Sequence, residues 1–302
     1  MGKKVNHQLE ITRTQFENFL YDDCLHLALP GEQLKYIIFL EKRNLKFTSD
    51  NGQYIIKPIP HENMKDKEYL PANEHLTMQI AKQVFNINTA ENGLIFFEDG
   101  ENAYITKRFD IRKDGRKQLQ EDFAQISDLP NNAVTKSFCK DNLSYEGIAL
   151  LVRKYVGAYQ IEIEKYFQMV LFNYLFSNYE ANQKNFSLYW DEMYGDYLFT
   201  PFYDLMNTIL HFPLVNTQAL ALFDDPGELK EPWEKVQEAK SYFIEFSDRV
   251  GINAKRFDRI YNVMISNEER VEKLVHNSFL SEELKTEYIA CYKERLANLN
   301  RK

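Results

Sequence analysis

The chain has 302 residues, 44% hydrophobic and 14% aromatic, with 22 Phe and 19 Tyr but only 11 Gly, which supports one large or two small ordered domains and excludes a disordered chain. Its net charge of −8, from 45 acidic against 37 basic residues, argues against direct DNA contact or membrane-surface binding as a main task. Cys24, Cys139 and Cys291 are odd in number and lack CxxC spacing, no apolar run approaches the roughly 18 residues of a membrane span, and no signal peptide opens the chain, so a reducing cytoplasm is expected.

Residues 12–22 predict a short helix with Phe16, Phe19 and Leu20 on one face and Thr14 to Glu17 as a capping box. Pro30-Gly31-Glu32-Gln33 is a turn with a single glycine, a poor phosphate cradle by itself, and Tyr36–Leu40 follows as a strand. Asn51-Gly52 lies between Leu45–Phe47 and Gln53–Lys57, the pattern of a β-hairpin, and Pro58 ends the second strand. Residues 71–85 are periodic and helical, with Leu76, Ile80 and Val84 on the apolar face. Leu94–Phe97 and Ala103–Thr106 form another hairpin about Asp99-Gly100.

Beyond residue 111 helices dominate. Residues 119–128, 145–156, 161–177, 231–249, 253–266, 267–276 and 281–299 are expected to be helical, and the span 161–177 is apolar nearly all round, the mark of a buried central helix. The layout is α+β and bilobal: a small β-rich lobe over 1–111, a hinge near Lys107–Ile111, and a larger α-helical lobe over 112–302.

Three features bear chemistry. Lys57 ends an apolar strand; pattern alone favours a solvated lysine, but the position also suits a lysine reaching a phosphate. Glu74, expected in the first turn of the next helix, is either its partner, as in the lysine–glutamate pair of kinases, or an acid stabilised by the helix dipole. Asp204 sits in Phe202-Tyr203-Asp204-Leu205-Met206, a setting awkward for a carboxylate unless it is paired or binds a cation. Before it, Glu180 precedes Asn185 by five residues, and a hairpin separates Asn185 from Asp204. Base, amide, hairpin, metal-binding acid is the order of a kinase active site. Gln120-Glu121-Asp122 alone reads as an acidic helix start.

Lys184-Asn185-Phe186-Ser187, Thr200-Pro201-Phe202-Tyr203-Asp204, Tyr54-Ile55-Ile56-Lys57, Asn73-Glu74, Arg108-Phe109-Asp110 and Leu119–Phe123 occur together in an order that resembles the HipA-type serine/threonine kinases of bacterial toxin–antitoxin systems, over about residues 28–300. The resemblance implies a protein-kinase-like fold and use of ATP and Mg²⁺. It implies that Gly31 and Gln33 face the phosphates, that Lys57 binds them, that Lys107 and Phe109 hold adenine, and that Gln120 lies near the nucleotide. It implies Asn185 and Asp204 as Mg²⁺ ligands and Glu180 at the catalytic base. It also implies a protein substrate and an antitoxin partner: a HipB-like DNA-binding protein, a separate HipS-like small subdomain, or both.

Four departures bear on these expectations. The family loop Asp-x-His-x-Lys-Asn here reads Glu180-Ala181-Asn182-Gln183-Lys184-Asn185, which sets the carboxylate one methylene farther out, and the hinge acid is replaced by Lys107. Ala28-Leu29-Pro30 stands where many relatives carry an autophosphorylated serine, and Gly31 arrives too early to leave room for the small amino-terminal subdomain, as in the shorter HipT-like members. A nucleotide-binding pseudokinase acting as an interaction module is the alternative reading.

Overall fold

The structure is a computed structural model and describes residues 7–23, 35–41, 44–47, 52–112, 114–127, 143–212, 219–225 and 237–301. Gly31 and Gln33, with Cys24 and Cys139, lie outside the described residues, as do the side chains of Phe19 and Leu20.

The small lobe is built on an antiparallel sheet of β1 (Tyr36–Glu41), β2 (Asn44–Phe47), β3 (Tyr54–Pro58), β4 (Asn92–Phe96) and β5 (Asn102–Lys107), ordered β2-β1-β3-β5-β4. The hairpin expected about Asn51-Gly52 does not form, because β1 lies between β2 and β3 and pairs Ile38 with both Phe47 and Tyr54. Gly52 serves a close approach instead: a Cβ there would stand 2.2 Å from Ile37 Cγ2 and 2.6 Å from the Ile38 carbonyl oxygen. The β4–β5 hairpin forms as expected, with Gly100 in its turn at φ 88°.

Alternation along β3 divides its side chains. Tyr54 and Ile56 enter the apolar layer beneath the first helix, α1 (Arg13–Asp23), whose buried Phe16 ring meets Tyr36 at 5.1 Å and Phe97 at 5.5 Å. Lys57 therefore projects from the opposite face. The capping box of α1 is Thr12 with Gln15, two residues earlier than Thr14 and Glu17: the Gln15 N–H donates to Thr12 Oγ1 and the Thr12 N–H to Gln15 Oε1.

On that opposite face lies α2 (Leu70–Gln83), entered through a single 3₁₀ turn at Lys67–Tyr69 with Pro71 in its first turn. The helix begins before residue 71, so Glu74 falls in the second turn and faces inward. That removes the helix-dipole explanation, which holds only within the first turn.

The larger lobe contains α3 (Phe123–Ile126), α4 (Tyr145–Tyr155), α5 (Tyr159–Leu175), α6 (Ala239–Arg249), α7 (Ala254–Ile265), α8 (Glu268–His276) and α9 (Glu282–Asn300). The central helix is α5, whose Tyr166, Phe167 and Phe172, with the C-cap residue Phe176, are fully buried. A three-stranded antiparallel sheet, β6 (Gln120–Asp122), β7 (Ser187–Asp191) and β8 (Asp196–Phe199), rests on this lobe. Gln120-Glu121-Asp122 is thus a strand, not a helix start: its backbone pairs with Tyr189, Leu188 and Ser187, and only then does Asp122 cap the one-turn α3 through a capping box with Gln125. Strand pairing with β7, distant in sequence, overrides the local helical signal. No helix of the described residues is long and apolar enough to cross a membrane.

Candidate active site

Lys57 is the centre of the arrangement. It is 3% exposed, and its Nζ donates to Glu74 Oε1 at 2.6 Å and to Asp204 Oδ1 at 2.7 Å. Its cross-strand neighbour Tyr104 sets a ring 5.3 Å from the ammonium. Burial alone would lower the lysine's pKa, but the charges of Asp204 and Glu74 override it and hold the ammonium above its usual range. Burial raises Glu74 to about 7 against the opposing pull of Lys57. Burial also acts to raise Asp204, but Lys57 and Lys35 outweigh it, so this carboxyl ends below the usual range. The solvated reading of Lys57 is excluded. What the strand pattern could not reveal is that two carboxylates from distant segments converge on the buried amine.

Asp204 is held from several sides. Its backbone is left-handed, at φ 56°, a conformation that Asp tolerates better than most residues. Upstream, the loop after α2 binds Phe202 through Phe202 N–H to Asn88 O and Ala90 N–H to Phe202 O. Downstream, Asn73 makes a reciprocal pair with the backbone of Asn207: Asn73 Nδ2 donates to Asn207 O at 2.7 Å, and the Asn207 N–H donates to Asn73 Oδ1 at 3.0 Å. Adjacent residues of α2, Asn73 and Glu74, therefore anchor both the 204–207 segment and the lysine. Asn73 was missed as a functional support; its only sequence signal was its place beside Glu74.

Glu180 and Asn185 share a loop between α5 and β7. Its floor is tied to the Asp204 segment by Tyr179 N–H to Thr208 Oγ1 at 3.0 Å and by Asn178 Nδ2 to Asp204 O at 3.4 Å. Asn182 caps a 3₁₀ turn over Gln183–Asn185, accepting from the Lys184 N–H, while Asn185 Oδ1 accepts from the Asn182 N–H at 3.1 Å. Tyr203, whose role the sequence did not reveal, spans the two segments: its hydroxyl donates to Lys184 O at 2.9 Å and bonds Ser187 Oγ at 2.6 Å.

The remaining expected residues lie to one side. Phe109 and Gln120, with Asn88, Asp110, Gln118, Tyr189, Asp191 and Pro201, line a cavity of about 220 Å³. Phe109 also meets Tyr203, ring to ring, at 5.7 Å. Lys107 has an exposed side chain, and its backbone N–H is committed to Glu91 O at 2.7 Å.

The donor set suits a hard cation shared with a bound anion. No group of three His, Cys, Asp or Glu side chains able to hold a metal occurs among the described residues. Asp204 offers one carboxylate, 28% exposed, and Asn185 an amide oxygen on the neighbouring loop. One or two protein oxygens completed by phosphate and water is the usual manner of Mg²⁺.

The curled sheet, the helical lobe and the lysine–glutamate pair define a bilobal, kinase-like protein. The HipA-like C-terminal domain model matches residues 27–274, and the chain belongs to that family. It is 26% identical to a Haemophilus influenzae protein named "Putative kinase", over 99% of this chain and 89% of that protein. Its fold resembles that of HipA from Shewanella oneidensis MR-1, solved with HipB and operator DNA, at a TM-score of 0.70 and 19% identity over 96% of this chain and 71% of that one. It also resembles the Helicobacter pylori proinflammatory kinase CtkA, at a TM-score of 0.57 and 13% identity over 90% and 92% of the two chains.

Proposed function

We propose that the protein is an ATP- and Mg²⁺-dependent serine/threonine protein kinase, the toxin half of a toxin–antitoxin pair acting in the cytoplasm. The observation that carries this reading is the buried Lys57 ammonium shared by Glu74 and Asp204. An amine fixed by a helix glutamate and set beside a metal-binding aspartate is the arrangement that kinases use to neutralise phosphate charge. Asn185 and Asp204 are the residues to hold Mg²⁺, which when bound neutralises charge on the phosphates. Lys57 turns from Asp204 to the phosphate oxygens, with Glu74 keeping it oriented. Phe109 and Gln120 receive the adenosine end, and Lys107, Gly31 and Gln33 complete the nucleotide contacts.

Glu180 accepts the proton as a serine or threonine oxygen of the protein substrate bonds to the γ-phosphorus and the bond to ADP breaks. Membership of a family whose structural relative was solved with HipB supports an antitoxin partner of HipB-like kind, and a separate HipS-like subdomain is the other partner in this reading. The test is transfer of labelled phosphate from ATP to proteins of a cell extract. Wild type is expected to label a protein in a Mg²⁺-dependent manner and Asp204→Asn to lose this; a wild type that binds nucleotide yet labels nothing overturns the kinase reading.

A second reading, a nucleotide-binding module that works by holding a partner, is favoured by one observation: Asn185 Oδ1 is turned back onto the Asn182 N–H. Glu180→Asp separates the two, because activity that appears only in the variant identifies the natural chain as a binder.

A further inference from the structure

Arg295, on α9, lies outside the segment matched by the family model and far in sequence from every residue assigned above. Its guanidinium is 5.4 Å from the Tyr174 ring centroid and 5.6 Å from that of Tyr179, and Nη2 donates to the Tyr179 hydroxyl. Tyr179 is 3% exposed and immediately precedes Glu180. Its backbone N–H donates to Thr208 Oγ1, and the Thr208 hydroxyl donates in turn to Ser177 O at 2.9 Å. Ser177 itself is left-handed, at φ 53°. From the other side, Tyr145 Oη donates to Ala181 O at 2.7 Å. Residue 180, whose own carbonyl accepts from the Asn182 N–H at 2.7 Å, lies between two held neighbours, and a side-chain clamp on the first of them is supplied by α9.

We propose that Arg295 is a positioning residue for Glu180: by fixing the Tyr179 ring it sets where the next carboxylate stands relative to Asp204. The inference rests on the kinase reading for its catalytic consequence and on the geometry alone for its structural one. A cation close to two tyrosine rings and bonded to one hydroxyl restrains where the Tyr179 ring stands. Catalytic geometry responds to displacements of about 1 Å with losses near 10²-fold, so loosening this clamp acts on turnover and not on nucleotide binding.

The test uses Arg295→Met, which keeps length and loses charge, with Arg295→Lys and Tyr179→Phe in the full chain. The methionine variant is expected to lower kcat by about 10- to 100-fold with KM for ATP held within about twofold. Lysine restores part of the loss, and Tyr179→Phe falls in the same direction by less, because the ring contacts survive. Amide hydrogen exchange at residues 178–182 is expected to rise in Arg295→Met while that of β3 and α2 stays unchanged. Exchange is read whether or not the wild type transfers phosphate, so failure of the kinase reading is a separate result. Unchanged exchange at 178–182, unchanged kcat, or a loss confined to KM overturns the positioning role.

Discussion

Lys57 Nζ stands 2.7 Å from Asp204 Oδ1, joining β3 to a segment 147 residues later. On the proposed kinase reading, the contact closes the phosphate position against the metal position, because one carboxylate oxygen is already taken by the amine. On the same reading, nucleotide and Mg²⁺ together would offer both groups better partners than either does alone. ATP is expected to bind at least about tenfold more tightly with Mg²⁺ than without it, and Asp204→Asn to abolish that gain. Titration calorimetry of both proteins checks this; equal metal enhancement in the variant would assign the metal elsewhere.

Glu74 gives a pH dependence with a definite sign. Its folded-state pKa, raised by burial to about 7, exceeds the ordinary carboxyl value of 4.5. The folded state therefore binds more protons than the unfolded one between those values. Its contribution is fully present below about pH 4.5 and is lost as pH rises towards 7, by at most about 3 kcal/mol. Denaturant melts at pH 5 and pH 7.5 are expected to show this fall in wild type and a flatter profile in Glu74→Gln. A variant that retains the full slope would mean that another group titrates.

Asn73→Ala removes both side-chain bonds to the buried backbone of Asn207. Leaving a buried N–H and C=O without partners costs about 2–3 kcal/mol, a fall of about 3–5 °C in Tm for a chain of this size. Calorimetry measures it, and a shift of less than about 2 °C would show that the 204–207 segment is held by its other contacts.

Gly52→Ala places a methyl group within 2.6 Å of a backbone carbonyl on β1. Backbone cannot step aside as a flexible side chain does, so β1 and β3 must separate locally, at about 1–3 kcal/mol. Chemical denaturation is expected to show this loss, and a neutral result would mean that β1 moves freely.

Tyr203→Phe deletes the hydroxyl that bonds both Lys184 O and Ser187 Oγ. Two lost bonds correspond to about 1–3 kcal/mol, and the loop carrying Asn185 loses its tie to the residue beside Asp204. Both Tm and the affinity for Mg²⁺ with nucleotide are expected to fall; a change in Tm alone would confine Tyr203 to the fold.

Much of the molecule was legible in the amino-acid order because it depends on neighbours. The β4–β5 hairpin, the helical face of α2 and the all-round apolar α5 follow from periodicity and turn chemistry. The site was legible as a list: a strand lysine, a helix glutamate, and an Asp stranded among aromatics. Three things were decided only in three dimensions. β1 inserts between β2 and β3, so Gly52 answers to packing and not to a turn. β6 forms because β7 offers it a distant ladder. Lys57 is buried because two carboxylates, supplied by α2 and by the segment at Asp204, meet around it. Desolvation of a charge and its repayment by distant partners are properties of assembled space, and no window along the chain contains them.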